Sequence, residues 1–600
     1  MADHAPARAS TRERRAVAVA TTVVGLVHLV LAWWMHGPII EPDEGGYLGI
    51  ARWVAHGTRL PISPAPYRPG YGLLLAPVSL VTDNPLTLYH GALVVNAVLL
   101  ATMVLSGWAL ARRLVPGADA TTALYVAVAV ACYGGFLLLG DFSIASNLFV
   151  PLTLGALVAV VRAWETDRRW RWALAGFAGA ALVAVHPVGV VVAIAVGVAA
   201  LFGVHLARWR DTARRVLFTA AGALVLVPIT LLVASTRDDT PISRFRGARG
   251  ATTGGAQDRV GYTFGQISDA LHLTNPRGLL VAFAGQVLFL TAASAGLALV
   301  GVAIGARAAP RAVRDASADA GTRLRALGAL IVVGTLAASV LVINPARTVP
   351  ASALLYGRYN EQVVAIAILA GLVALPSLAD PMRRLGVVVA GIAGTVITCA
   401  VIVAFAWPAA AHLHLVAFND LLGGFGLLHA LSRAGHDGLR TVVVVLAGVA
   451  VVGVGVLLAV TRRGGLRAAA VVTAVLFAVP ALLAGVVVVR QSESRSGERT
   501  LVPVMMHAAA TADPPTDCIG YVPGIETTFE LSTYQLFAPD LRFASVAPGE
   551  PVGLLSGERA CTRLVLARLG DPVLTSRGYQ PIASEQTPDD QPVTLYRAPS

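Results

Sequence analysis

The sequence predicts a polytopic α-helical membrane protein that ends in a small soluble α/β unit, and three observations predict it. Of its 600 residues, 56% are hydrophobic and 13% charged, with a mean hydropathy of +0.70, where a soluble chain carries roughly 25% charged residues. Apolar runs recur from residue 16 to about 489, each near the ~20 residues that cross a bilayer. From residue 490 onward the chain turns polar and turn-rich.

The formal charge of +12 and pI near 10.0 do not point to nucleic acid, because the arginines gather in short loops between apolar runs, where membrane topology requires cations. Every basic Lys-or-Arg position is arginine, which excludes lysine Schiff-base chemistry.

The N-terminal arm carries Arg8, Arg12, Arg14 and Arg15 and leads into a run from 16 to 35 that ends in Trp33 and Trp34. Its length suits a span, its tryptophans suit an interfacial anchor, and it lacks a small-x-small cleavage site. Further spans are expected near 86–110, 120–140, 145–163, 171–186, 188–206, 214–234, 279–306, 325–344, 361–379, 385–407, 440–461 and 467–489, about thirteen in all. His186-Pro187 either kinks one long helix or separates two short ones; two are preferred, because one would move every later loop to the other side and break the arginine pattern. With the N-terminus inside, Arg112-Arg113, Arg168-Arg169, Arg208 to Arg215, Arg307 to Arg325, Arg383-Arg384 and Arg462-Arg463 all fall in cytoplasmic loops, as the positive-inside rule demands. The long connections 36–85, 235–278, 345–360 and 408–439, and the tail, then lie outside.

This divides the chain into a membrane part, 1–489, and an extracytoplasmic part, 490–600. The tail shows a helical start at 500–511 and β-type runs at Cys518 to Val522 and Thr562 to Leu566. It holds no catalytic cluster and reads as a cap over an outer cavity or a carbohydrate-contacting module. Cys518 and Cys561 form one disulfide if the tail faces an oxidising compartment. Cys132 and Cys399 lie in apolar runs as buried thiols, and neither the cysteines nor His412 and His414 have metal-ligand spacing.

Immediately after the first span comes Glu41-Pro42-Asp43-Glu44-Gly45-Gly46-Tyr47. Adjacent acids at the mouth of a spanning helix need an explanation that composition does not supply. Tyr47, Ile50, Ala51 and Val54 then share one helical face, with Arg52 on another, so the segment reads as an amphipathic helix at the outer interface. Pro61, Pro64, Pro66 and Pro69 stiffen the chain around Tyr67-Arg68, and Gly70-Tyr71-Gly72 opens a second apolar stretch.

One span, then Pro-Asp-Glu-x-x-Tyr, a helix, and a Pro/Gly-rich run into Gly-Leu-Leu-Leu-Ala-Pro together resemble the GT-C superfamily of integral-membrane glycosyltransferases, in its protein mannosyltransferase and lipid A aminoarabinose transferase branch. The resemblance is close over 16–80 and loose elsewhere. It implies an enzyme that takes a sugar from a polyprenyl-phosphate carrier and places it on a glycan, lipid or protein acceptor at the outer membrane face. By position, it also implies that Asp43 is the general base of an inverting displacement, a role that suits a carboxylate drawing a proton from an attacking hydroxyl. Glu44 would orient the acceptor or share the proton; the alternative for both acids is N-terminal capping of the helix.

The family carries a second acid between its third and fourth spans, where Asp141 stands in Leu-Leu-Gly-Asp-Phe-Ser. It would hold the acceptor, or a divalent cation jointly with Asp43, or else cap span four. A phosphate leaving group calls for cations at headgroup depth. Arg358, in Tyr-Gly-Arg-Tyr-Asn-Glu, is the first candidate, with snorkelling to the headgroups as its alternative; Arg68, Arg244 and Arg246 follow. Tyr47, Tyr67 and Tyr359 flank these charges as substrate-contacting aromatics. His186 is read as a core histidine, although related enzymes often have a basic residue there.

A Gly-rich phosphate loop of the Rossmann type is missing, which argues against a nucleotide-sugar donor. The composition is of an actinobacterial type, so a decaprenyl-phosphate donor and a cell-wall polysaccharide acceptor follow by analogy. The competing readings are a transporter or flippase of a lipid-linked or polar solute and a structural partner in an envelope assembly. No internal repeat stands out, and the acids sit at span ends rather than the bilayer midplane, which favours the enzyme. A thiol introduced by Asp43→Cys is expected to react with a membrane-impermeant maleimide from outside intact cells; labelling only after permeabilisation would contradict this topology.

Overall fold

The computed structural model describes residues 10–38, 43–58, 68–115, 119–203, 209–226, 228, 276–343, 358–379, 391, 394–401, 437–497, 501–522, 534–545, 561, 563–586 and 592–599. Tyr67, Arg244 and Arg246 lie outside them, as do the expected 385–407 span, except for 391 and 394–401, and the side chains of Arg358 and Tyr359.

The chain opens with α1 (Thr11–Trp33), started by a capping box in which Ser10 and Glu13 bond each other's backbone. The first outer connection holds α2 (Asp43–His56) and α3 (Gly70–Ser79). Then follow α4 (Pro85–Leu114), α5 (Ala120–Ala131), the six-residue α6 (Gly134–Leu139) and α7 (Ser146–Thr166). After them come α8 (Arg169–Val185), α9 (Gly189–Ala199), α10 (Trp209–Leu224), α11 (Pro276–Ala293), α12 (Leu297–Arg314), α13 (Ala320–Ile343) and α14 (Arg358–Ala374). The last long element, α15 (Asp437–Gly497), is two arms joined at Gly465, whose φ of 71° breaks the helix. Among the described residues six helices are long and apolar enough to cross a membrane, or seven if the α11–α12 pair is one broken span. The protein is thus a multi-pass membrane protein.

Three expectations change in detail. The 120–140 run is not one helix: it stops at Cys132 and restarts as α6. The 279–306 run bends by 105° at 294–296, where Ala295 and Gly296 take positive φ of 48° and 80°. The helix from Asp43 does not lie open at an interface, since Glu44 through Arg52 are all buried. At the disputed His186-Pro187 step, His186 is extended, as a residue before proline tends to be, and α8 and α9 pack side by side, with Gly179 against Ala193 and Val196.

The arginine-bearing ends of the helices hold one another. Arg113 pairs with Glu165, Arg214 and Arg215 with Asp167, Arg467 with Asp119, and Arg325 donates to the Leu114 carbonyl. At the other end of α4, about 45 Å away at 1.5 Å per residue, Tyr89 reaches the turn that carries Asp141. The bundle therefore has an arginine end and an acid-motif end.

After α15, α16 (Leu501–Ala510) and α17 (Pro572–Ser576) flank a five-stranded sheet of order β2-β1-β3-β5-β4. Its strands are β1 (Cys518–Tyr521), β2 (Arg542–Ser545), β3 (Leu564–Arg568), β4 (Gln580–Gln586) and β5 (Pro592–Arg597). The first three are mutually parallel, and β5 runs antiparallel to both β3 and β4. Cys518 and Cys561 are joined in a disulfide.

Helices α8 and α10 approach so closely that a Cβ on Gly176 would lie 1.9 Å from the Thr219 carbonyl oxygen, and one on Gly222 1.9 Å from that of Ala173. Small residues of this kind let spanning helices touch backbone to backbone. Gly176→Val or Gly222→Val is expected to cost about 1–3 kcal/mol by overpacking, read as a lowered thermal midpoint in detergent; an unchanged midpoint would contradict the contact.

Candidate active site

The site begins with a turn that an apolar interior should not tolerate. Residues 140–145 leave helical geometry between α6 and α7 and are all buried, so their carbonyls need partners from elsewhere. Side chains supply them. Asn147 Nδ2 donates to the Leu139 and Phe142 oxygens at 2.8 and 2.7 Å. Asn96 Nδ2 donates to those of Gly140 and Phe142 at 3.2 and 2.9 Å, and the Tyr89 hydroxyl to that of Asp141 at 2.8 Å. Asn96 is oriented in turn by the Tyr71 hydroxyl, 2.7 Å from its Oδ1.

The acid motif closes this arrangement. Glu44 Oε1 accepts the backbone N–H of Ser143 at 2.7 Å, with the Ser143 hydroxyl 3.4 Å away, and Glu44 is 0% exposed. Asp141, in the same turn, is 1% exposed, and neither carboxylate oxygen has a hydrogen-bond partner among the described residues. Burial first, and then the charge of Glu44, push the Asp141 carboxyl well above the usual carboxylate range. Burial thus biases Asp141 toward its neutral form. Asp43 precedes Glu44 in the first turn of α2 and is only partly buried. Tyr47 packs edge-on to Tyr71 with ring centroids 5.5 Å apart, so it belongs to the wall of the site.

The cation candidates approach from α3 and α14. Arg68 stands just ahead of α3, whose Gly70 abuts Val185 and the Ala184 carbonyl at the end of α8. Next in the chain, His186 Nε2 lies 3.0 Å from Gln362 Nε2, in the turn of α14 that begins at Arg358. The Arg68 segment, His186 and the start of α14 are thereby gathered at one place. His186 thus has polar partners, as a satisfied histidine requires.

Sequence reasoning passed over most of the supporting groups. Asn360 Nδ2 donates to Gln286 Oε1, which also accepts from the Ser339 hydroxyl at 3.0 Å. Glu361, 1% exposed, faces Tyr133 and Gly135. His28 of α1 packs against Gly140, whose Cβ would come within 2.5 Å of its Nδ1. Gln286, Ser339 and His28 share one signal, a single polar residue inside an apolar run, whereas Asn360 and Glu361 belong to the polar stretch that opens α14. Among the described residues no three His, Cys, Asp or Glu side chains gather to hold a metal.

Replacing Asn96 with Leu removes both donors to the turn and strands the Tyr71 hydroxyl. A loss of about 2–4 kcal/mol is expected from the Gly140 carbonyl and the Tyr71 hydroxyl left without partners, at 1–3 kcal/mol each, seen as a lowered thermal midpoint. A midpoint within a degree or so of wild type would show that the turn does not depend on Asn96.

No protein-family model matches the sequence, and no curated protein matches it. Among solved structures, apo ArnT from Cupriavidus metallidurans is similar over 98% of this chain and 98% of its own, with a TM-score of 0.51 and 16% identity. ArnT bound to undecaprenyl phosphate aligns over 96% of this chain and 97% of its own, with a TM-score of 0.49 and 15% identity. The arabinosyltransferase EmbB from Mycobacterium smegmatis aligns over 81% of this chain and 42% of its own, at 0.42 and 16%. At such identities the likeness is one of fold: the chain has the fold of ArnT.

Proposed function

We propose that the protein is a GT-C-type glycosyltransferase that moves a sugar from a polyprenyl-phosphate carrier to an envelope acceptor, inverting the anomeric centre, at the outer membrane face. The observation that carries this reading is the buried carboxyl pair of Glu44 and Asp141 at the acid-motif end of the bundle. Ordinary core packing does not call for two acids there, and the ArnT fold adds the architecture.

The three acids divide the work by environment. Glu44 is committed to the Ser143 amide and fixes the start of α2 against the turn. Asp141, buried beside Glu44 and favoured in its neutral form, is assigned to donate a hydrogen bond to bound substrate. Asp43, partly exposed at the start of α2, is the group placed to take the acceptor hydroxyl proton as its oxygen attacks. Arg68 and Arg358 are assigned to the departing lipid phosphate, and Tyr47 to the substrate wall. By the positive-inside rule the arginine end is cytoplasmic, which puts the site and the unit from 490 to 600 outside. An actinobacterial envelope glycan is the acceptor class to try first.

The bent α11–α12 pair is the one feature that favours transport, since broken helices line many transporter sites. Its bend, however, is filled from α15: a Cβ on Gly296 would meet Val454 at 2.0 Å and the Ala450 carbonyl at 2.8 Å.

In membranes supplied with labelled polyprenyl-phosphate sugar, Asp43→Asn is expected to lower transfer about 10²- to 10⁴-fold, the range for a positioned general base, at unchanged expression. Glu44→Gln should reduce transfer less, since an amide oxygen still accepts from Ser143. Turnover retained in Asp43→Asn removes the base assignment.

A further inference from the structure

The unit following the last span is joined to the acid loop itself, at points on both sides of Asp43. Before it, Ser492 of α15, 1% exposed, accepts the backbone N–H groups of His36 and Gly37 at 2.8 and 3.1 Å and donates to the Gly37 carbonyl, also at 3.1 Å. One donor and two acceptor sites are the whole capacity of a serine hydroxyl, and all are spent on this loop. After it, Arg52 of α2 donates through Nη1 to the Leu536 carbonyl.

Residues 534–537 form a single helical turn that is shared between two apolar cores. Leu536 is buried in the core of the membrane bundle, with Tyr47, Leu48, Ile50 and Ala51 of α2. Tyr534 and Ala538 are buried in the core of the sheet, with Ile519 and Leu566, and Phe537 packs against both. Arg52 is only 7% exposed, and no carboxylate of the described residues pairs with it; Asp83 and Asp540 act on it only through their charge. A guanidinium is costly to bury, and an apolar side chain would fill the space without that cost. What a buried Arg52 adds is a fixed reach from α2 to one carbonyl of the following unit.

We propose that Ser492 and Arg52 are positioning residues, through which the chain beyond the last span sets the place of Asp43. The tail is then part of the catalytic apparatus rather than a lid or a carbohydrate-contacting module. This rests on the reading of Asp43 as the base, but its structural half can be tested alone.

The test uses full-length protein in lipid nanodiscs, comparing wild type, Ser492→Ala, Arg52→Gln and Arg52→Lys. Amide hydrogen exchange is read by peptide, and transfer is measured with labelled polyprenyl-phosphate sugar. Ser492→Ala and Arg52→Gln are expected to speed exchange across 43–56 by roughly tenfold, the loss of about one net hydrogen bond. Peptides covering β1, β3 and α5 should exchange as in wild type. kcat should fall by up to about 10²-fold, as for a misplaced catalytic group, with KM for the donor unchanged. Arg52→Lys should recover part of both, since an ammonium reaches the same carbonyl.

Unchanged exchange in 43–56 in both variants overturns the proposal, whatever the activity. Faster exchange that extends through β1 and β3 also overturns it, because the residues would then serve only to fold the sheet unit. Faster exchange confined to 43–56, in a protein whose wild type transfers no sugar, upholds the positioning and removes the glycosyltransferase reading instead.

Discussion

The structure depends on a short non-helical turn kept where water cannot satisfy it. From Leu139 to Phe142, four consecutive carbonyls point into the bundle, and the side chains of Asn96, Asn147 and Tyr89 bond every one. The following amide, that of Ser143, is taken by Glu44. An apolar side chain in place of Asn96, Tyr89 or Glu44 would strand the Gly140 carbonyl, the Asp141 carbonyl or the Ser143 amide, at about 1–3 kcal/mol. Helices α2, α4 and α7 are thus registered against one another by polar bonds, while the apolar contacts around them supply bulk stability without direction. The carboxylate that completes the turn belongs to the same acidic pair that carries the proposed chemistry.

That constraint sorts the acids. A carboxylate that accepts a backbone N–H is held in place, and its charge adds to burial in raising the pKa of a neighbouring carboxyl. Glu44 and Asp141 stand in this relation. Asp43 differs from both in being only partly buried, in the first turn of α2. The opposite end of the bundle is organised differently, by Arg113, Arg214, Arg215 and Arg467 paired with carboxylates of neighbouring loops. One end is built to stay solvated and the other to exclude water.

Much of this was legible in the sequence, and the parts that were not share a physical cause. Asp43, Glu44 and Asp141 stood out because a charge interrupts an apolar run, and that signal is local. The breaks at Cys132-Tyr133 and at 294–296 did not, because Ala, Cys, Tyr, Gly and Ser change hydropathy too little to end a window; only backbone geometry shows them. The amphipathic pattern from Tyr47 to Val54 correctly marked a helix, but nothing within it reveals that Leu536, hundreds of residues later, covers it. Asn96 and Gln286 were passed over for the same reason, since each is a single polar residue whose partners lie on other helices.

The central claim is that one carboxylate at the start of α2 drives a direct displacement on a lipid-linked sugar. It is tested most directly by the stereochemistry of a single turnover. Purified protein in nanodiscs would be mixed with a polyprenyl-phosphate sugar of known anomeric configuration and an envelope glycan acceptor, and the product anomer read by nuclear magnetic resonance. The account predicts transfer with inversion. A product with the donor's configuration would require two displacements, and with them a covalent intermediate that a single base does not provide, and would contradict it.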